Sequence, residues 1–261
     1  MIRARKRFGQ HFLEAAWVDK VVRVIDPKPT ETFLEIGPGR GALTRPLAAR
    51  TKQVIALELD RDLARELRDT SLPNVSVVEG DFLEHSNPES LIPNPDVVRV
   101  AGNLPYNVAS PILFKLVELF DRGLKIADAT VMLQREVADR LLAKPGTKEY
   151  GVLTVLIGHS ARVERLLNLP PGAFRPAPKV QSSVVRLELH PPDPPVRDRR
   201  AFEALVQAVF TRRRKTIANA LAAYPESGRI AVLPDWLDPA RRPETLTIAE
   251  FARLADVFSV P

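Results

Sequence analysis

Thr32-Phe33-Leu34-Glu35-Ile36-Gly37-Pro38-Gly39-Arg40-Gly41 is the stretch on which the fold turns. Residues 32–36 form a short β-rich run, and the glycines after it lack the Cβ atoms that would keep a backbone away from a ligand. An amphipathic stretch over 43–50 follows, with the apolar spacing of a helix packed on a sheet. A strand, a glycine-rich loop and a helix in that order begin a βαβ unit, and the helix N-terminus presents unpaired amide donors. Such a loop serves a dinucleotide, a nucleoside or mere tight packing. Here the spacing is GxGxG and position 42 is alanine, so the dinucleotide pattern with its third glycine is only loosely met.

Outward from this loop the same alternation continues. Further strands are expected over 53–57, 75–79, 96–101 and 129–133, with later runs near 162–167 and 182–189. Helices are expected over 61–69, 111–120 and 136–144. Strands alternating with amphipathic helices predict an α/β fold with a mostly parallel, seven-stranded sheet. His190-Pro191-Pro192-Asp193-Pro194-Pro195 can neither continue a strand nor enter a helix, because proline lacks a backbone donor and fixes φ. A boundary there divides the chain into a domain over 1–190 and a small helical domain over 191–261, whose strongest helices fall at 201–224 and 248–258.

In an open parallel sheet, ligands sit at the carboxyl ends of the strands, so the residues at those ends carry the functional argument. Glu58 ends the second strand, about 20 residues past the loop, where a carboxylate accepts from the hydroxyls of a ribose. Asp60, just before the helix at 61, is the better N-cap. Asp81 follows the third strand and can accept from the amine of an adenine ring. Asn103-Leu104-Pro105-Tyr106 follows the fourth. An amine conjugated to an aromatic ring is a poor nucleophile, because its lone pair is delocalised. The Asn103 side-chain oxygen and the Leu104 carbonyl can both accept from such an amine and favour a pyramidal nitrogen, Pro105 would stiffen the loop, and Tyr106 could stack on the base. The bland alternative is a strand-to-helix turn with a buried tyrosine.

Composition narrows the chemistry. The chain has 261 residues, 45% of them hydrophobic and 27% charged, and no cysteine, which excludes disulfides, thiolate metal sites and cysteine nucleophiles. His11, His85, His159 and His190 are scattered without metal-ligand spacing, and no metal is expected. The opening residues carry basic side chains with no apolar run behind them, so neither a secretory signal nor a membrane anchor is expected, and cytoplasmic residence fits. Net charge is +6 and the isoelectric point about 9.8, a balance that favours polyanions. The charge concentrates in Arg3, Arg5, Lys6 and Arg7, and in Arg212-Arg213-Arg214-Lys215, which are expected to wrap one turn of a helix. On charge pattern alone, a solvated face explains both runs as well as nucleic acid does.

Together these residues resemble the ribosomal RNA adenine dimethylase family, whose small-subunit members methylate two adjacent adenines near the 3′ end of that RNA. The resemblance spans nearly the whole chain. It begins with Lys6-Arg7-Phe8-Gly9-Gln10-His11-Phe12-Leu13 and runs through the strand-end residues above. It includes Phe174-Arg175-Pro176-Ala177-Pro178-Lys179-Val180 and ends with Arg213-Arg214-Lys215 and Arg242-Pro243-Glu244. It implies a Rossmann-like fold and S-adenosylmethionine as methyl donor, contacted by His11, Leu13, Gly37, Glu58, Asp81 and Asn103. His11 stands where members often have asparagine, so a backbone contact is the firmer expectation there. The resemblance further implies that Phe174 covers the target adenine opposite Tyr106. It implies that Arg5, Lys6, Arg7 and Arg212 to Lys215 grip small-subunit RNA in an assembling particle, and that the enzyme works as a monomer. A large-subunit adenine methylase and a non-catalytic RNA-binding assembly factor are the competing readings. The intact Asn103, Pro105 and Tyr106 speak against the second. A core aromatic is the competing reading for Phe174.

Overall fold

A computed structural model of the chain describes residues 10–85, 92, 97–225, 228 and 233–259. The strands, in chain order, are β1 Phe12–Leu13, β2 Thr32–Ile36, β3 Gln53–Glu58, β4 Val75–Glu79, β5 Val98–Asn103, β6 Ile126–Gln134, β7 Ala161–Leu169, β8 Phe174–Arg175 and β9 Ser182–Leu189. The α-helices are α1 Ala15–Ile25, α2 Thr44–Ala48, α3 Arg61–Arg68, α4 Ala109–Asp121, α5 Arg135–Leu141, α6 Val152–Gly158, α7 Arg199–Thr211, α8 Ile217–Leu221 and α9 Ile248–Phe258. Seven strands form one sheet in the order β4-β3-β2-β5-β6-β9-β7. From β4 to β6 all pairings are parallel, and β9 runs antiparallel to β6. The chain builds outward from β2 in both directions, so the strand order reverses between β2 and β5. That reversal opens a crevice at the strand ends.

All five residues of β2 are buried, as a strand covered on both faces requires. The core on the β2 face joins Phe33, Val54, Ala101 and Met132 to Val21, Val22 and Ile25 of α1. Two arginines fasten the end of α1 to the sheet. Arg99 donates to the Ile25 and Asp26 carbonyls at 2.7 and 3.1 Å, and Arg186 donates to the Val24 carbonyl at 2.6 Å. Their charge is met by Asp128, 2.7 Å from Arg99 and 3.4 Å from Arg186, and by Glu31, 2.9 Å from Arg99. Helix-end carbonyls, the buried Arg99 and the part-buried Arg186 are thereby satisfied together.

The chain divides into two compact units otherwise than at a single break. One comprises residues 1–138 and 163–189, the other 139–162 and 190–261. Residues 139–162 therefore belong with the C-terminal helices, an arrangement that only long-range packing specifies. Within the second unit Phe202, Leu205, Val209, Leu221, Phe251 and Phe258 share a core. A helix expected over 201–224 is two helices instead. Arg212 leaves helical geometry (φ −114°, ψ 34°), and Thr216 starts α8 by accepting from the Asn219 amide. The four basic residues consequently occupy a turn and do not wrap a helix.

Candidate active site

The carboxyl ends of β2, β3, β4 and β5 open on one cavity. Gly37, Glu58, Asp81 and Asn103 line it, as do His11, Leu13, Leu104, Pro105 and Tyr106. Glu58 is 6% exposed, and both its oxygens are tied to loops: Oε2 accepts from the Gly39 amide and Oε1 from the Asp60 amide, each at 2.8 Å. Each oxygen retains a lone pair for a further donor. Burial pushes the Glu58 carboxyl up, against the lowering effect of those amides. Asp60 caps α3 through the Asp62 amide at 3.1 Å, the role its place before the helix predicts. Asp81 accepts from the Leu83 amide through Oδ1 at 2.8 Å, which fixes the carboxylate.

Asn103 is the last residue of β5. Its Nδ2 donates to the His11 carbonyl at 2.6 Å. A carbonyl can only accept, so this bond sets the amide's orientation and leaves Oδ1 as the accepting end. Behind it, the Leu104 amide donates to the Met132 carbonyl at 3.2 Å, and the Leu104 side chain is buried. Tyr106 is half-buried, its hydroxyl 2.7 Å from Ser182 Oγ. Burial pushes the phenol up, with the Ser182 bond opposing.

Three features of the cavity were not singled out by the sequence pattern. The two-residue strand β1 pairs antiparallel with β8 and lays residues 10–13 along the wall as a strap. Its Phe12 ring lies 4.3 Å from the Arg40 guanidinium, and a Cβ on Gly39 would come within 3.1 Å of that ring. Gly39 also has φ +57°, so glycine is favoured there on two counts. The third feature is Glu35, 2% exposed on the cavity wall, with Oε2 buried and without a hydrogen-bond partner. Burial pushes its carboxyl up to about 7, and Glu58 adds to the effect. The Thr44 hydroxyl relieves some of this without closing a well-formed hydrogen bond. The available signal was an acid in the middle of an otherwise uncharged strand.

Two of the expected site residues are engaged within the protein itself. Phe174 is fully buried in the core with Leu13, Leu169 and Val184 and is not among the residues that line the cavity. Arg213 donates to the Glu244 carboxylate and, at 3.0 Å, to the Thr147 carbonyl. Arg212, which donates to the Asn219 carbonyl at 3.3 Å, is exposed, as are Arg214 and Lys215. Arg5, Lys6 and Arg7 lie outside the described residues.

S-adenosylmethionine joins a nucleoside to a sulfonium and an ammonium. The cavity wall offers it the carboxyl groups of Glu58 and Asp81, with Glu35 beside them, its Oε2 buried and without a hydrogen-bond partner. The donor set fits. No group of three or more acidic or histidine side chains suited to a metal ion occurs among the described residues. No described helix is long and apolar enough to cross a membrane.

A seven-stranded, mostly parallel sheet with this crevice at its strand ends defines the S-adenosylmethionine-dependent methyltransferase class. The model of the ribosomal RNA adenine dimethylase family matches residues 1–259, and the chain belongs to that family. It is 43% identical over 265 residues to the ribosomal RNA small subunit methyltransferase A of Acinetobacter baylyi, covering 97% of this chain and 92% of that protein. To the protein of the same name in Pseudomonas syringae pv. tomato it is 42% identical, covering 98% and 95%. Among solved structures, a dimethyladenosine transferase from Plasmodium falciparum superposes with a TM-score of 0.74 at 25% identity, over 94% of this chain and 96% of that one. The 23S rRNA methyltransferase ErmE superposes with a TM-score of 0.66 at 27% identity, over 95% and 100%.

Proposed function

We propose that this protein transfers methyl groups from S-adenosylmethionine to the N6 amines of two adjacent adenines near the 3′ end of small-subunit ribosomal RNA. In this reading it acts in the cytoplasm, as a monomer, on an assembling small subunit. The observation that carries the proposal is the Asn103 amide, turned by the His11 carbonyl so that Oδ1 is its accepting end, beside Tyr106 on the wall of the donor cavity.

The donor would be held by the backbone of the strap and of the Gly37 loop, and by Glu58 and Asp81, and when bound it supplies an electrophilic methyl group. The remaining work falls to positioning. Asn103 Oδ1 and the Leu104 carbonyl accept from the amine hydrogens, which localises the nitrogen lone pair and stabilises the positive charge that grows on nitrogen as the new bond forms. Tyr106 presents its ring to the base, a contact worth on the order of 1–3 kcal/mol. Arg212, Arg214 and Lys215 are the exposed candidates for phosphate contact in the basic turn.

Single-turnover methylation at saturating donor, with folding checked by melting, tests this mechanism. Asn103→Ala should depress transfer by about 100-fold or more, as removal of an oriented polar group from a transition state does. Tyr106→Ala should reduce both RNA capture and transfer, and Tyr106→Phe should be mild, since it keeps the ring and loses only the bond to Ser182. Near-normal transfer by Asn103→Ala would sink the amine-orienting role. The likeness to ErmE supports a second reading, methylation of large-subunit RNA. The greater identity to the small-subunit relatives favours the first, and methylation of separated subunits followed by nucleoside analysis decides between them. Donor binding without any transfer would point to a non-catalytic factor.

A further inference from the structure

His11 meets the catalytic loop in two places at once. Its carbonyl accepts from Asn103 Nδ2 at 2.6 Å, and its imidazole is stacked against the Tyr106 ring, with centroids 5.2 Å apart and planes 24° from parallel. The imidazole is held independently of that loop. Its Nδ1 lies 2.7 Å from the Pro176 carbonyl, and because a carbonyl only accepts, Nδ1 is the protonated nitrogen of that bond. Residues on the C-terminal side of His11 are anchored to the same partner segment, by the pairing of Phe12 with Arg175 and Leu13 with Phe174, and by donation from the Glu14 amide to the Ala173 carbonyl at 2.8 Å. The strap is therefore a fixed reference against which a ring and an amide are set.

We propose that His11 is a positioning residue for the methyl acceptor: its imidazole backs one face of Tyr106 so that the opposite face receives the target adenine, while its carbonyl turns Asn103 toward the amine. The proposal rests on Tyr106 being the platform for the base. The bond to Ser182 fixes the hydroxyl end of Tyr106 but does not by itself set the rotation of the ring about its long axis. A second ring stacked beside it restricts that freedom before the base arrives, so less ordering remains to be done on binding. Donor cavity and acceptor platform are then aligned by one residue, because the strap that lines the first also braces the second.

The test uses the full-length enzyme with His11→Ala and His11→Phe, both of which keep the main-chain bond to Asn103. Small-subunit particles lacking the modification serve as substrate. A short RNA carrying 2-aminopurine at the target position reports stacking by fluorescence quenching. His11→Ala should slow single-turnover transfer by about 2- to 10-fold, the factor an aromatic pair is worth, with a matching loss of quenching and a smaller loss of donor affinity. His11→Phe should restore most of the rate and the quenching, since it replaces the ring without the Pro176 bond. Unchanged transfer and quenching in His11→Ala would overturn the proposal, and so would faster transfer, which would make the ring a plug over the base site. A fall in melting temperature and donor affinity in step with the rate, without rescue by His11→Phe, would reduce His11 to a structural residue and equally overturn it. Tyr106→Ala run alongside separates the two readings. If it too leaves quenching and transfer intact, the platform itself is wrong, whereas loss in Tyr106→Ala alone refutes only the role of His11.

Discussion

Glu35 shows how much chemistry one residue can hide. It stands in the stretch that decides the fold, yet a five-residue buried strand reads the same with or without an acid at its fourth position, and pattern alone could not say that its side chain would lie buried beside a cavity with an oxygen left unpartnered. Its carboxyl is pushed from 4.5 up to about 7 by burial and by Glu58. The sign follows directly. A raised carboxyl means that the folded protein favours the protonated form, so the associated stability is complete below about 4.5 and is lost as pH rises through about 7. Glu35→Gln, neutral at every pH, should therefore melt close to the parent at pH 5 and above it at pH 8, by about 2–4 °C for each kcal/mol recovered. Melting of the donor-free protein across that range is the measurement. A difference that does not vary with pH would show that Glu35 keeps one charge state throughout. Asn103, Glu58, Asp81 and Gly37 were legible by contrast, because a parallel sheet directs its strand ends to one place and the sequence marks each end with a polar group or a glycine.

At the scale of elements, what the sequence could show depended on where the stabilising contacts lie. The strands over 32–36, 75–79 and 182–189 fall where their apolar runs place them, since local pattern and tertiary burial agree. Strands β1 and β8 have two residues each and exist only through each other, so no local signal predicts them, although the resemblance had named His11 and Leu13 as donor contacts. The broken helix at 212–216 was likewise invisible to charge pattern, which takes no account of a competing N-cap at Thr216. One glycine carries a consequence for an entire pair of strands. A Cβ on Gly102 would fall 2.5 Å from the Ile36 carbonyl oxygen, backbone that cannot turn aside. Gly102→Ala should push β2 and β5 apart just where they deliver Gly37 and Asn103, at a cost of about 1–3 kcal/mol, the range for forced overpacking. Both the melting temperature and the single-turnover rate should fall. Loss of stability with an unchanged rate would show that the crevice tolerates a wider strand separation than its geometry suggests.

For the molecule as a whole, the question is which part of a net charge of +6 can serve an RNA partner. Basic residues held by protein partners contribute to the fold first. Arg99 and Arg186 close the end of α1, and Arg213 joins Glu244 and the Thr147 carbonyl inside the C-terminal unit. Arg214 and Lys215, two residues along the same turn, are exposed. Adjacent arginines are thus expected to behave differently, although sequence alone makes them equivalent. Each phosphate contact releases counterions and contributes about 0.7–0.9 to the slope of log affinity against log salt. Arg214→Ala and Lys215→Ala should each flatten that slope by about this amount and leave the melting temperature unchanged within about 1 °C. Arg213→Ala should leave the slope alone and lower the melting temperature, because Glu244 loses a partner while only 23% of its side chain is exposed. RNA binding followed by anisotropy from about 50 to 200 mM salt, paired with melting curves, resolves the three variants. Equal slopes in all of them would return the basic turn to ordinary solvated surface. A flattened slope in Arg213→Ala would mean that RNA draws this guanidinium away from Glu244 on binding.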